Sequence, residues 1–184
     1  MDLTAYLVYA LALVCNAFLV FRVVARRDYL QRKQMGPLSF ALESLIWGPF
    51  FAFPYVYSSP GAPTMGIPGY VGSALIALGI VAIVVFIGSL GFRRSCGQEV
   101  NVLRTSGVYS VTRNPQIVAG VLIIVGTVLR WPSWYHVGWV ILYGVMAHLM
   151  VITEEEHLRD VFGEPYREYC RRVPRYVPHT WRNQ

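Results

Sequence analysis

The chain has 184 residues, of which 55% are hydrophobic and only 14% charged, and its formal net charge is +6. A soluble domain of this size carries about 25% charged residues, so a small hydrophilic enzyme and a disordered tail are both excluded, and the length allows one domain or bundle. Cys15, Cys96 and Cys170 are odd in number and show no C-x-x-C spacing. Neither a disulfide framework nor a zinc site can be built from them.

The charge-free gaps set the helices. Nineteen uncharged residues separate Asp2 from Arg22, 49 separate Glu43 from Arg93, 16 separate Arg113 from Arg130, and 23 separate Arg130 from Glu154. A bilayer core about 30 Å thick needs about 20 helical residues. The gap of 49 holds two spans, because Ser58-Ser59-Pro60-Gly61-Ala62-Pro63 and Gly66-Ile67-Pro68-Gly69 punctuate it as a turn. Helices are therefore expected over Leu3–Val24, Leu38–Tyr57, Pro68–Gly91, Gln116–Leu129 and Ser133–Ile152, the fourth short for a full crossing. The first run is long and lacks a small-residue cleavage site before Arg22, so it reads as a span rather than a signal peptide.

Of the 16 Lys and Arg, 15 fall in the first connection, in the connection after helix three, and in the tail; Arg130 alone lies on the other side. The positive-inside rule puts those 15 in the cytoplasm, with the N-terminus outside and the C-terminus inside. Five spans give that parity. The net charge then answers to orientation and anionic headgroups, and no nucleic-acid partner is called for. Arg130 stands in Arg130-Trp131-Pro132-Ser133-Trp134-Tyr135, a tight turn with aromatics suited to the outer interface. Gly72 and Gly79 on helix three permit close helix packing.

Three inner-face features exceed what topology requires. In Gly107-Val108-Tyr109-Ser110-Val111-Thr112-Arg113-Asn114-Pro115-Gln116, Pro115 opens helix four and Asn114 can cap it. The N–H groups of Gln116 and Ile117 then either favour an electron-rich ligand or simply belong to a capped start; the sequence leaves both open. In Glu154-Glu155-Glu156, Arg159 pairs with Glu155 at i+4 or Glu156 at i+3, which leaves Glu154 either as part of a solvated charge run or to a partner from elsewhere, Arg113 or a cationic ligand. In the tail, Leu158, Val161, Phe162, Tyr166, Tyr169 and Val173 form a helical stripe, broken by Phe162-Gly163-Glu164-Pro165 and suited to a cap on the membrane surface. His136, His148, His157 and His179 show no ligand spacing, so no metal is expected; His148 reads as a core histidine before a base.

The order G-V-Y-x-x-x-R-N-P, membrane hairpin, E-E-E, F-G-x-x-Y-x-x-Y and R-V-x-R-x-x-P, from about Arg93 to Pro178, resembles the isoprenylcysteine carboxyl methyltransferase family and the wider group that includes phospholipid N-methyltransferases. The resemblance implies an all-α polytopic membrane helix bundle of about five transmembrane helices with a cytoplasmic C-terminal helical cap. It divides the chain into membrane helices over 1–92 and a methyltransferase-like core over 93–184. It further implies S-adenosylmethionine as cofactor, contacted by Asn101, Val102, Leu103, Arg104, Tyr109, Asn114, Pro115, Gln116, Ile117 and Glu154. Glu154, Arg113 and Asn114 are the residues expected to serve the chemistry, with Tyr109 or Tyr166 as a ring against the sulfonium.

Three departures from the family pattern are present. The family commonly has His where this chain has Asn114, and Tyr where it has Ile117. The isoprenylcysteine enzymes also carry a basic residue shortly before the Glu run, where this chain reads His148-Leu149-Met150-Val151-Ile152-Thr153. The expected partners are the bilayer and a lipophilic or lipidated acceptor. A phospholipid amine N-methyltransferase, a sterol-reductase-like enzyme and a non-enzymatic scaffold or transporter are the alternatives. No G-x-G-x-x-G is present, so a Rossmann domain is excluded as the cofactor holder.

Overall fold

The computed structural model describes residues 3–56, 62–90 and 102–176. Within them the chain is helical and carries no strand. We label the helices α1 (Leu3–Arg32), α2 (Pro37–Val56), α3 (Ile67–Leu90), α4 (Pro115–Arg130), α5 (Trp134–Phe162) and α6 (Glu164–Arg172), with a 3-10 turn at Gly107–Ser110 before α4. By length and composition α1, α3 through Gly88, and α5 are each able to cross a membrane. Against the expected five crossings, three helices among the described residues qualify. At about 1.5 Å per residue, the 16 residues of α4 reach only about 24 Å.

Two further boundaries differ from expectation. Helix one does not stop at Val24: it passes through a π-helical segment, Leu19–Ala25, and continues to Arg32. Charge does not break a helix, and the stop comes where Lys33 adopts a left-handed conformation (φ 56°) before Met35-Gly36-Pro37. The last long helix likewise runs past Ile152 through the three glutamates to Phe162, ending at Gly163 with φ 59°, a conformation glycine adopts without steric cost. The division expected at residues 92–93 lies outside the described residues.

Helices α1, α2 and α5 share an apolar core in which Ala17, Phe50, Met146 and Val151 are fully buried. The Phe50 and Trp139 rings stack at 4.9 Å, and the Trp139 indole N–H donates to the Phe50 carbonyl at 3.0 Å. Trp47 packs on Tyr143 at 5.6 Å between centroids. Large exposed side chains such as Leu11, Val84 and Ile141 cover the outside of the helices, as lipid contact requires.

Helices α3 and α4 associate differently, backbone against backbone. A Cβ on Gly72 would stand 2.7 Å from the Gly126 carbonyl, and one on Gly79 would stand 2.7 Å from the Ala119 carbonyl. The close approach read from these glycines is therefore present. At the same end the Arg130 guanidinium donates to the Thr64 carbonyl at 2.7 Å and lies 5.8 Å from the Trp131 ring. The Tyr143 hydroxyl, donating to the Ile117 carbonyl at 3.0 Å, joins α4 to α5.

Candidate functional site

The polar chemistry gathers at one end of the bundle, around the last third of α5. Glu155 is the hub. Its carboxylate receives Arg113 at 3.0 Å, Arg159 at 3.0 Å and a two-pronged contact from Arg175 at 2.9 and 2.7 Å, while its side chain is only 3% exposed. The planar fork of Arg175 matches the two carboxylate oxygens, and its hydrogen bonds to Glu155, outweighing the opposing effect of burial, keep its guanidinium more firmly charged than usual. Glu156 takes Arg22 at 3.0 Å and Arg26 at 3.1 Å. Arg22 also donates to the Thr153 hydroxyl at 3.1 Å, so the π-helical part of α1 is tied to α5.

Glu154 stands apart from both. Half-buried, it forms no ion pair or hydrogen bond with any described residue, yet its charge acts on Tyr29, Glu43 and Tyr109. The reading of Glu154 as the least partnered of the three glutamates agrees with this placement. Of the two partners considered for it, Arg113 is taken elsewhere: it goes to Glu155, and it also donates to the Cys170 sulfur at 2.8 Å.

Glu43 follows from helix periodicity. Ser39, Glu43, Trp47 and Phe50 recur on one face of α2, and Tyr143, Met150, Glu154 and His157 recur on one face of α5. The Trp47–Tyr143 contact joins the two faces at one level. Near the charged end, Asp28 of α1 accepts from the Ser39 hydroxyl at 2.6 Å, while Tyr29 stacks on His157 at 4.3 Å. Glu43 and Glu154 are therefore bracketed into one layer.

The turn before α4 is pinned by the tail. The Arg113 N–H donates to the Pro174 carbonyl at 3.0 Å, and the Thr112 hydroxyl and Asn114 side-chain amide both donate to the Arg175 carbonyl at 3.1 Å. Asn114 makes no side-chain cap; its amide is spent on the tail instead, and it is 5% exposed. The Ile117 N–H is taken by the Asn114 carbonyl at 3.1 Å, so of the two N–H groups considered for a ligand, that one is used within the turn. Ile117 itself belongs to the apolar core.

The other expected contacts are dispersed. Asn101 lies outside the described residues, Val102 and Arg104 are exposed, and Leu103 packs against Tyr166, Tyr169 and Val173. Pro115 is half-buried at the first turn of α4. Gln116, beside it, carries a buried Oε1 that finds no partner among the described residues. Tyr109 has its carbonyl held by the Tyr169 hydroxyl at 2.7 Å. Burial, followed by the charge of Glu154, pushes the Tyr109 phenol well above its ordinary pKa, and burial raises Tyr169 to about 12. Tyr166 is 2% exposed inside the tail cluster, so of the two rings considered only Tyr109 is part-exposed. His148 is exposed, 3.1 Å from the Tyr176 hydroxyl; it is not a core histidine.

No solved structure matches the chain. The cobalt-zinc-cadmium resistance protein CzcN of Cupriavidus metallidurans is 28% identical over 156 residues, which is 82% of this chain and 66% of the length of CzcN. The family model described as phospholipid methyltransferase matches residues 52–165, taking in the α4–α5 hairpin, the turn before it and the three glutamates. The chain belongs to the phospholipid methyltransferase family.

Proposed function

We propose that the protein is an S-adenosylmethionine-dependent methyltransferase acting on a lipophilic acceptor at the membrane, with its charged end in the cytoplasm and its N-terminus outside. One observation carries the reading: Glu154, a half-buried carboxylate without a cationic partner among the described residues, sits beside Glu155, on which three arginines converge. A carboxylate held near a low-dielectric region without a counter-charge is costly, and a cationic ligand removes that cost.

The residues present fit such a cofactor. Glu154 would face its positive charge, Gln116 Oε1 would accept from one of its N–H groups, and the Tyr109 ring, kept neutral, would lie against the cation. S-adenosylmethionine supplies a methyl group already activated on a sulfonium, so the protein's part is approach, alignment and exclusion of water. Arg113 and Asn114 act here as positioning residues: through Glu155, Pro174 and Arg175 they fasten the turn that presents Tyr109 and Gln116.

An amine acceptor is the reading that Glu43 favours. Glu43 and Glu154 lie within electrostatic reach of each other, and together they offer carboxyl oxygens that suit an amine better than a carboxylate. An amine must lose its proton before attack, and Glu43 has no cationic partner among the described residues. The absence of Arg or Lys over residues 148–153 points the same way. The name of CzcN concerns resistance to cobalt, zinc and cadmium; among the described residues of this chain no three His, Cys, Asp or Glu side chains gather as metal ligands.

Calorimetric titration of S-adenosylhomocysteine into the detergent-purified protein tests the reading. Saturable binding is expected, weakened about tenfold in Glu154→Gln, the order of one charged hydrogen bond. A scaffold or transporter would bind nothing, and normal binding by Glu154→Gln would remove that residue from the site.

A further inference from the structure

Asn16 is an exposed amide on α1, a helix otherwise apolar from Leu3 to Phe21. It lies 13 residues beyond Leu3 and 6 short of Arg22. At about 1.5 Å per residue this is about 20 Å from one end of the apolar stretch and about 9 Å from the first charge. With a hydrocarbon core about 30 Å thick, the amide falls inside the membrane. It forms no hydrogen bond with any described residue, and hydrocarbon offers none. An amide left so is costly, and polar side chains at this depth almost always face protein or a water-filled cavity.

The fold holds Asn16 outward. Its neighbours Leu13 and Ala17 are buried in the apolar core. Near one end of α1 the Tyr6 hydroxyl donates to the Tyr135 carbonyl at 3.1 Å, and near the other Arg22 donates to the Thr153 hydroxyl at 3.1 Å. Both ties run to α5, so α1 cannot turn about its axis to bring the amide inside. The surface around Asn16 suits another helix. Ala12, one turn away, is small and exposed, and Leu19 and Val23 are exposed beyond it. Small residues let helix backbones approach closely in a membrane. Ala5, Ala12 and Leu19 recur every seven residues, with Asn16 and Val23 between, which is the spacing of a helix–helix seam.

Electrostatic complementarity names the occupant. An asparagine amide carries a partly negative carbonyl oxygen that accepts and a partly positive NH2 that donates, so two such amides satisfy each other in both directions. The bias of positive residues orients every copy alike, and a two-fold axis along the membrane normal then sets the two Asn16 side chains at one depth. A different protein would need a matching polar group at that depth; a second copy has it by symmetry. From the unpaired amide, its fixed outward position and its self-complementarity, we propose that the Ala12–Asn16–Leu19 face of α1 docks a second copy of this chain, closed by reciprocal hydrogen bonds between the two Asn16 amides. A single asparagine in such a seam also fixes its register. The dimer does not depend on the methyl-transfer reading.

Sedimentation equilibrium of the full chain in a density-matched neutral detergent tests the seam. A reversible monomer–dimer equilibrium is expected. Its dissociation constant should rise about tenfold in Asn16→Leu and less than about threefold in Asn16→Gln, which keeps the amide. Ala12 and Ala77 supply a matched pair of variants, both exposed, one on this face of α1 and one on α3. Ala12→Phe should weaken the dimer as Asn16→Leu does, and Ala77→Phe should leave it unchanged. A monomer at every concentration would mean that lipid covers the face. A dimer indifferent to Asn16→Leu would be held by another surface, and equal weakening by the two alanine variants would mean a general loss of packing. Each of these three results overturns the proposal.

Discussion

The two ends of α5 are held by opposite kinds of force. From Trp134 to Met150 its inward side chains are rings and aliphatics: Trp139 stacks on Phe50, Tyr143 meets Trp47, and Met146 is fully buried. From Thr153 to Asp160 the same helix is gripped by guanidiniums arriving from α1, from the turn before α4 and from the tail. The aromatic end is tolerant, because ring contacts add about 0.5–1.5 kcal/mol each beyond the area they bury and neighbouring rings adjust. The charged end is not, because removing one side of a buried ion pair leaves the other charge stranded. Structural rigidity is concentrated where the proposed chemistry lies.

Glu155→Gln breaks the charged end hardest. It leaves Arg113, Arg159 and Arg175 around a neutral amide, and the expected cost is about 3–5 kcal/mol. Folded monomer surviving a heating series on size-exclusion chromatography should fall by several degrees at the midpoint; an unchanged midpoint would show that water satisfies these arginines. At the aromatic end, Trp139→Phe keeps a ring against Phe50 and deletes the hydrogen bond to the Phe50 carbonyl. Its expected cost is about 1–2 kcal/mol on the same assay, and a loss as large as that of Glu155→Gln would erase the difference between the ends. Thr153→Val is milder again, at about 1 kcal/mol or less: the shape is nearly kept, and Arg22 retains Glu156 after losing the hydroxyl.

The same division explains what could be read from the sequence. The helices were legible because hydropathy and charge-free length are local: Gln116–Leu129 was expected where α4 spans Pro115–Arg130, and Pro68 where α3 begins at Ile67. The continuation of α1 to Arg32 was hidden because a run of arginines ends an apolar segment without ending a helix. The isolation of Glu154 could be reasoned from its i+3 and i+4 neighbours. The capture of Arg113 by Glu155 could not, since it depends on the tail folding back to bring Arg175 onto the same carboxylate, twenty residues away in sequence. Asn114 shows the same limit. Its position fits a helix cap, but the folded tail offers its amide the Arg175 carbonyl instead.

The smallest expected change in stability belongs to Glu154→Gln, and it sharpens the comparison most. One residue separates it from Glu155, and the substitution is chemically identical. Glu154 pairs with no described cation, so neutralising it strands nothing. It also relieves repulsion from Glu155 and removes the charge that acts on Glu43. The heating midpoint is therefore expected to stay the same or rise slightly, while affinity for S-adenosylhomocysteine falls about tenfold. Glu155→Gln measured alongside should show the reverse order, with fold lost first and binding lost as a consequence. If Glu154→Gln lost stability as Glu155→Gln does, the carboxylate would be structural and the bound cation would have to be sought elsewhere. Two adjacent glutamates, one serving the fold and one held back from it, are what a site for a cationic ligand needs: a rigid frame that does not itself neutralise the charge left for the ligand.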